Sequence, residues 1–141
     1  ISLSQSFFFS PIIETEVIKE INNLPIRKSP GIDGIPSKVI RASVTSILSP
    51  LTHIFNCSFQ QGIVPSPFKV AKTIPIHKKN DKRLPGNFRP ISLLIIFNKL
   101  LEKLVHKRIY SFLNSNQLLN KFQFGFRKNH STTSALDHRN H

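Results

Sequence analysis

The chain is 141 residues long, one domain or part of one, and its 39% hydrophobic content supports a modest core. Its 20 Lys+Arg against 7 Asp+Glu give a net charge of +13, which points to a polyanionic partner, nucleic acid before membrane. No apolar run is long enough to span a bilayer. Phe7-Phe8-Phe9 is too short and lacks the basic flank of a signal peptide, and the single Cys57 rules out an internal disulfide. An intracellular, non-secreted protein in a reducing compartment is expected. The chain begins at Ile1 and contains no Met, which reads as a segment of a longer open reading frame.

Ser10-Pro11 predicts the start of a first helix, with Ile13, Val17, Ile21 and Leu24 on its apolar face and Glu14, Glu16 and Glu20 on a solvated one. The loop Lys28-Ser29-Pro30-Gly31-Ile32-Asp33-Gly34 follows. Its glycines allow positive φ and close backbone approach, Asp33-Gly34 is turn chemistry, and no Gly-Lys-Ser/Thr closes it as a P-loop. A short helix is expected over Ile35 to Ala42. A second should start at or slightly before Ser49-Pro50 and end at Gly62, with Leu51, Ile54, Phe55 and Phe59 as its apolar face. Cys57 on this helix reads as a small core residue and His53 as structural or surface. Pro65 and Pro67 mark an extended connection.

Two short apolar runs come next, Val70 to Ile76 and Phe88 to Leu93, and they predict a hairpin. Pro75 and Pro90 should sit at an edge, an end or a bulge, since neither has an N–H. The connecting loop carries Lys78, Lys79, Lys82 and Arg83 with one acid, Asp81, and Pro85-Gly86-Asn87 turns the chain back. With Lys72 and Arg89 these cations suit a triphosphate or a nucleic-acid backbone, or else form a solvated lysine-rich loop. Arg89 differs from the lysines because its planar fork lies within an apolar run.

The longest amphipathic helix is expected over Ile96 to Leu113, with Phe97, Leu100, Leu101, Leu104, Val105, Ile109 and Phe112 on its stripe. After a polar break at Asn114–Asn120, Phe122, Phe124 and Phe126 alternate with polar residues, as core positions of a strand or as a stacking platform. Ser131-Thr132-Thr133 could cap a final helix. The six His and one Cys never reach metal-ligand spacing.

Several of these pieces, taken in order, resemble the N-terminal part of a reverse transcriptase from a non-LTR, LINE-type (jockey-like) retrotransposon. They are Lys28 to Pro36, Val70 to His77, Asn87-Phe88-Arg89-Pro90-Ile91-Ser92-Leu93-Leu94, then Lys99 with Glu102-Lys103, Gln123 to Arg127, and Ser131-Thr132-Thr133. The one local departure is Ile95, where the family has a small polar residue.

The resemblance implies an α+β, partial right-hand polymerase fold: a helical N-terminal part, a fingers β-hairpin and a long helix, with the palm largely missing. Residues 1–23 would be a helical lead-in and 24–141 the fingers and early palm, truncated at the C-terminus. Lys72, Lys78, Lys79 and Arg89 would bind the incoming nucleotide. Gly31, Lys82, Arg83, Arg127 and Lys128 would lie along the nucleic acid.

The implied partners are an RNA template, a DNA primer and a dNTP, in nucleus or cytoplasm. The family's Mg²⁺ would be held by carboxylates further on, since only Asp137 follows Glu102 here. This segment is therefore expected to bind no metal and to be inactive alone. The alternatives are a non-enzymatic basic nucleic-acid-binding protein derived from a decayed element, and a decayed chain that does not fold stably.

Overall fold

The computed structural model describes residues 6–120 together with 122, 123, 125 and 127. The chain divides into two units, Ile1–His106 and Lys107–His141.

Helix α1 spans Glu14–Asn22, three residues later than Ser10-Pro11 would place it. Asn56 explains the delay. Its side chain accepts from the Ile12 N–H at 2.7 Å and donates to the Ile12 carbonyl at 2.9 Å. Both backbone groups of Ile12 are thereby held in an extended segment, and the helix begins only beyond it. The Glu16 carboxylate then accepts from the Ile13 N–H at 3.2 Å, satisfying a group at the helix entrance. Val17 and Ile21 are fully buried, whereas Ile13, expected on the apolar face, is exposed.

Helix α2 covers Ser37–Ala42, shorter than expected at its start because Pro36 favours an extended Ile35. Helix α3 runs Val44–Gln61 and contains Pro50 in its interior, so Ser49-Pro50 is not its start. The Ser43 carbonyl accepts the N–H groups of Ser46 and Ile47 at 3.0 and 3.1 Å and launches the helix early. An interior proline costs about 3 kcal/mol. Burial of Leu51 and Phe55, with Ile47 and Leu48 packed on the same core, offsets it. Gly62 ends α3 in the left-handed conformation, as expected, with φ 66°. Ile54 is exposed rather than packed. Where an extended connection was expected, Ser66–Lys69 forms one 3₁₀ turn. It buries Phe68, whose ring meets Phe55 edge-on at 6.5 Å and Phe97 face-on at 6.3 Å.

Strand β1 (Ala71–His77) and strand β2 (Phe88–Leu94) form a two-stranded antiparallel sheet. Helix α4, Ile96–Ser115, follows after one residue. In the first unit it buries Ile96, Leu100, Leu101 and Leu104 into the common core with α1 and α3. Glu20 of α1, expected on a solvated face, is only 5% exposed. Its carboxylate meets Lys103 Nζ of α4 at 3.3 Å, so the acid is compensated where it is buried.

In the second unit, Ile109 is exposed and Phe112 only half-buried, so the apolar stripe outruns the burial. The helix closes with a left-handed Gln117 at φ 54°; Leu118 N donates to Leu113 O at 2.8 Å and Gln117 N to Asn114 O at 3.1 Å. These two bonds form a Schellman end. Residues 122, 123, 125 and 127 are turn or irregular, not strand, and Phe122 is exposed rather than core. Phe124, Phe126, Lys128, the expected final helix at Ser131–Thr133, and Asp137 lie outside the described residues.

Candidate nucleic-acid interface

The hairpin register pairs Lys72 with Leu93, Ile74 with Ile91, Pro75 with Pro90, Ile76 with Arg89 and His77 with Phe88. Residues opposite one another share a face and successive residues alternate. Lys72, Ile74 and Ile76 of β1 therefore lie on the same face as Arg89 and Ile91 of β2. Lys78 continues that face at the tip, where its N–H donates to Asn87 O at 2.8 Å. Lys78 is two residues beyond Ile76, about 7 Å from the Arg89 rung, and Lys72 is about 13 Å from it on the other side. The register thus groups Lys78 with Arg89, and leaves Lys72 too far along the strand to share one phosphate group with them. Arg89 is exposed. Its alkyl stem has Ile76 opposite, which is itself 44% exposed, so Arg89 is less enclosed than its apolar run suggests.

The loop between the strands is ordered by its own hydrogen bonds. The Asp81 carboxylate accepts from Arg83 N at 2.9 Å, an Asx turn, and Asp81 O accepts from Leu84 N at 3.3 Å. Asn87 Nδ2 donates to Asp81 O at 2.7 Å. His77 Nε2 lies 3.0 Å from Asn80 O, and the ring packs edge-on against Phe88 at 5.3 Å. Asn80 takes a left-handed conformation, φ 67°. Lys78, Lys79, Lys82 and Arg83 are all exposed. Among the described residues no carboxylate pairs with their side chains, since Asp81 turns its oxygen to the backbone. Asp81, Asn87 and His77 were named in the sequence but not assigned to the site; an acid two residues before Arg83 in a Pro-Gly-Asn loop was the available signal.

Gly31 does approach another backbone closely, but that backbone is the chain's own. A Cβ there would lie 2.7 Å from Ile95 N and 2.8 Å from Ile95 Cα, and Gly31 is buried. Gly31 therefore seats its loop against the junction of β2 and α4. Positive φ belongs to Gly34 instead, at 67°, in a turn closed by Gly34 N to Gly31 O at 3.2 Å and by Ile35 N to the Asp33 carboxylate at 3.3 Å.

In the second unit, an Arg127 guanidinium N–H donates to Asn120 O at 3.2 Å. Cys57, half-buried rather than in the core, has its Sγ 3.5 Å from His53 Nε2. A groove of about 200 Å³ is lined by Phe9, Phe59, Val64, Leu101 and Val105 with Ser58 and Gly62; it carries no basic group for phosphate.

Among the described residues, five of the acids are engaged within the fold. Glu16 serves a helix entrance, Glu20 an ion pair, Asp33 and Asp81 turns, and Glu102 accepts from Asn98 at 2.9 Å. Among the described residues no three metal-ligating groups come together. Among them, too, no helix is long and apolar enough to cross a membrane.

Residues 76–141 match the family model described as reverse transcriptase (RNA-dependent DNA polymerase). The chain is 34% identical over 135 residues to a probable RNA-directed DNA polymerase from transposon BS of Drosophila melanogaster, covering 95% of this chain and 15% of that protein. It is 33% identical over 139 residues to the RNA-directed DNA polymerase from mobile element jockey of the same fly, again with 95% of this chain and 15% of the relative. A probable RNA-directed DNA polymerase from transposon X-element, also of Drosophila melanogaster, is 33% identical over 129 residues, covering 91% of this chain and 14% of that protein. The chain spans about one-seventh of the length of these relatives.

Proposed function

From this kinship with the reverse transcriptases of non-LTR, jockey-like retrotransposons, read in the motifs and borne out by the matches, we propose that the chain supplies the fingers part of an RNA-directed DNA polymerase. Residues 24–141 contribute the fingers and early palm of a right-hand polymerase. The hairpin engages the incoming dNTP and the template, and the chemistry of nucleotide transfer belongs to metal-binding carboxylates, no cluster of which comes together among the described residues. The observation that carries the reading is the shared face of Lys78 and Arg89 beside a tip whose four cations have no acidic partner among the described residues.

The roles follow from side-chain chemistry. Arg89 presents a planar fork that grips a phosphate bidentately or lies on a base. Lys78 and Lys79 neutralise phosphate charge as flexible points, and Lys82 and Arg83 extend the positive field along the strand of nucleic acid. Arg127 and Lys128 belong to the primer–template side by kinship alone.

The test is made in a longer polymerase chain that carries this sequence. Arg89→Lys keeps the charge but loses the fork, so it should raise the dNTP KM or lower kcat clearly while leaving template affinity nearly unchanged. Lys79→Arg should be almost silent. Equal indifference to both substitutions would remove the fingers reading of the hairpin.

A further inference from the structure

We propose that Asp81 and Asn87 are positioning residues that preform the basic tip for phosphate, an inference that rests on reading the hairpin as a phosphate-binding element. Asp81 is the only acid between Asp33 and Glu102. On charge alone, a carboxylate among Lys78, Lys79, Lys82 and Arg83 should weaken an anion site. The hydrogen bonds give it another role. Asp81 receives Arg83 N on its carboxylate, and Leu84 N and Asn87 Nδ2 on its carbonyl. Asn87 in turn donates its N–H to Leu84 O at 3.0 Å and receives Lys78 N on its own carbonyl at 2.8 Å.

These bonds clasp the backbone on both sides of Lys82 and Arg83. Ordering a loop of this length at the moment of binding would cost conformational entropy for every residue fixed. A tip already shaped by Asp81 and Asn87 incurs that cost on folding, and its cations meet the ligand without it. The Asp81 side-chain oxygen holds the turn in spite of the charge it brings to the basic tip.

Two substitutions separate shape from charge. Asp81→Asn and Asp81→Ala each remove one negative charge, but only Asn keeps a side-chain oxygen to accept from Arg83 N. Binding is read by fluorescence anisotropy with a short labelled single-stranded DNA, and folding by thermal melting of each variant. Asp81→Asn should bind more tightly than the unaltered chain. Asp81→Ala should bind about fivefold more weakly than Asp81→Asn, the scale of one lost hydrogen bond. Asn87→Ala, which changes no charge, should weaken binding by a similar factor with its salt dependence unaltered.

If Asp81→Asn and Asp81→Ala bind alike and Asn87→Ala is silent, while Lys82→Ala and Arg83→Ala weaken binding, the positioning role is wrong and the phosphate-binding reading stands. If Lys82→Ala and Arg83→Ala are silent too, the underlying reading fails with it.

Discussion

Pro75 and Pro90 are register partners, one on each strand at the centre of the hairpin. The hydrogen-bonded rung at Lys78 and Asn87 fixes the parity of the ladder. Antiparallel pairs alternate between hydrogen-bonded and non-hydrogen-bonded, which makes Pro75–Pro90 a non-hydrogen-bonded pair. At such a pair the N–H groups point away from the partner strand, so neither proline removes a bond from the hairpin. Each instead removes an outward donor, one from either edge of the sheet.

That arrangement blunts both edges against a third strand. Pro75→Val with Pro90→Val restores the two donors and adds β-branched residues. The double variant should shift toward larger species in sedimentation velocity as concentration rises, relative to the unaltered chain. Unchanged sedimentation over the same range would show that the prolines do not guard the edges.

Gly31 and Gly34 lie in one turn and should respond differently to alanine. At Gly31 the new Cβ meets the Ile95 backbone at 2.7 Å, and backbone cannot swing aside as a side chain can. Gly31→Ala should cost about 1–3 kcal/mol or more, the range of overpacking, in urea unfolding. At Gly34 there is open space but φ is +67°. Gly34→Ala should therefore cost about 1–2 kcal/mol through backbone strain alone. A Gly31→Ala variant as stable as the unaltered chain would contradict the packed junction.

Asn56 carries the N-terminal segment. Asn56→Ala leaves the Ile12 N–H and carbonyl without their partner, and Ile12 is only 2% exposed. The expected loss is about 1–3 kcal/mol for each group left unsatisfied. Hydrogen exchange at the Ile12 amide should speed up more than at Phe55 in the core. Equal acceleration at both would mean that Asn56 supports the whole unit rather than this clasp.

Local chemistry made the hairpin legible. Both strands fall within a residue of their expected ends, α4 starts where its apolar period starts, and Gly62 closes α3 as a glycine should. Two Ser-Pro pairs misled for one reason. Ser10-Pro11 and Ser49-Pro50 have the residues of a helix start, but the outcome was decided elsewhere, by Asn56 reaching Ile12 across 44 positions and by the burial of Ile47 and Leu48. Glu20 was misplaced on a solvated face because its partner, Lys103, lies far along the chain. At the site, the cations were plain in the sequence. The bonds of Asp81 and Asn87 depend on the folded loop and were not.

Whether this chain grips phosphate at the hairpin tip is read from the salt dependence of single-stranded DNA binding. Anisotropy gives it for the unaltered chain and for a variant with Lys78, Lys79, Lys82 and Arg83 all replaced by alanine. Each phosphate that the variant no longer neutralises flattens the slope of log affinity against log salt by about 0.7 for a single strand. The variant's slope should fall by about 2 to 3, with thermal melting little changed. A slope equal to that of the unaltered chain would put phosphate binding elsewhere on the molecule and overturn the role given to the tip.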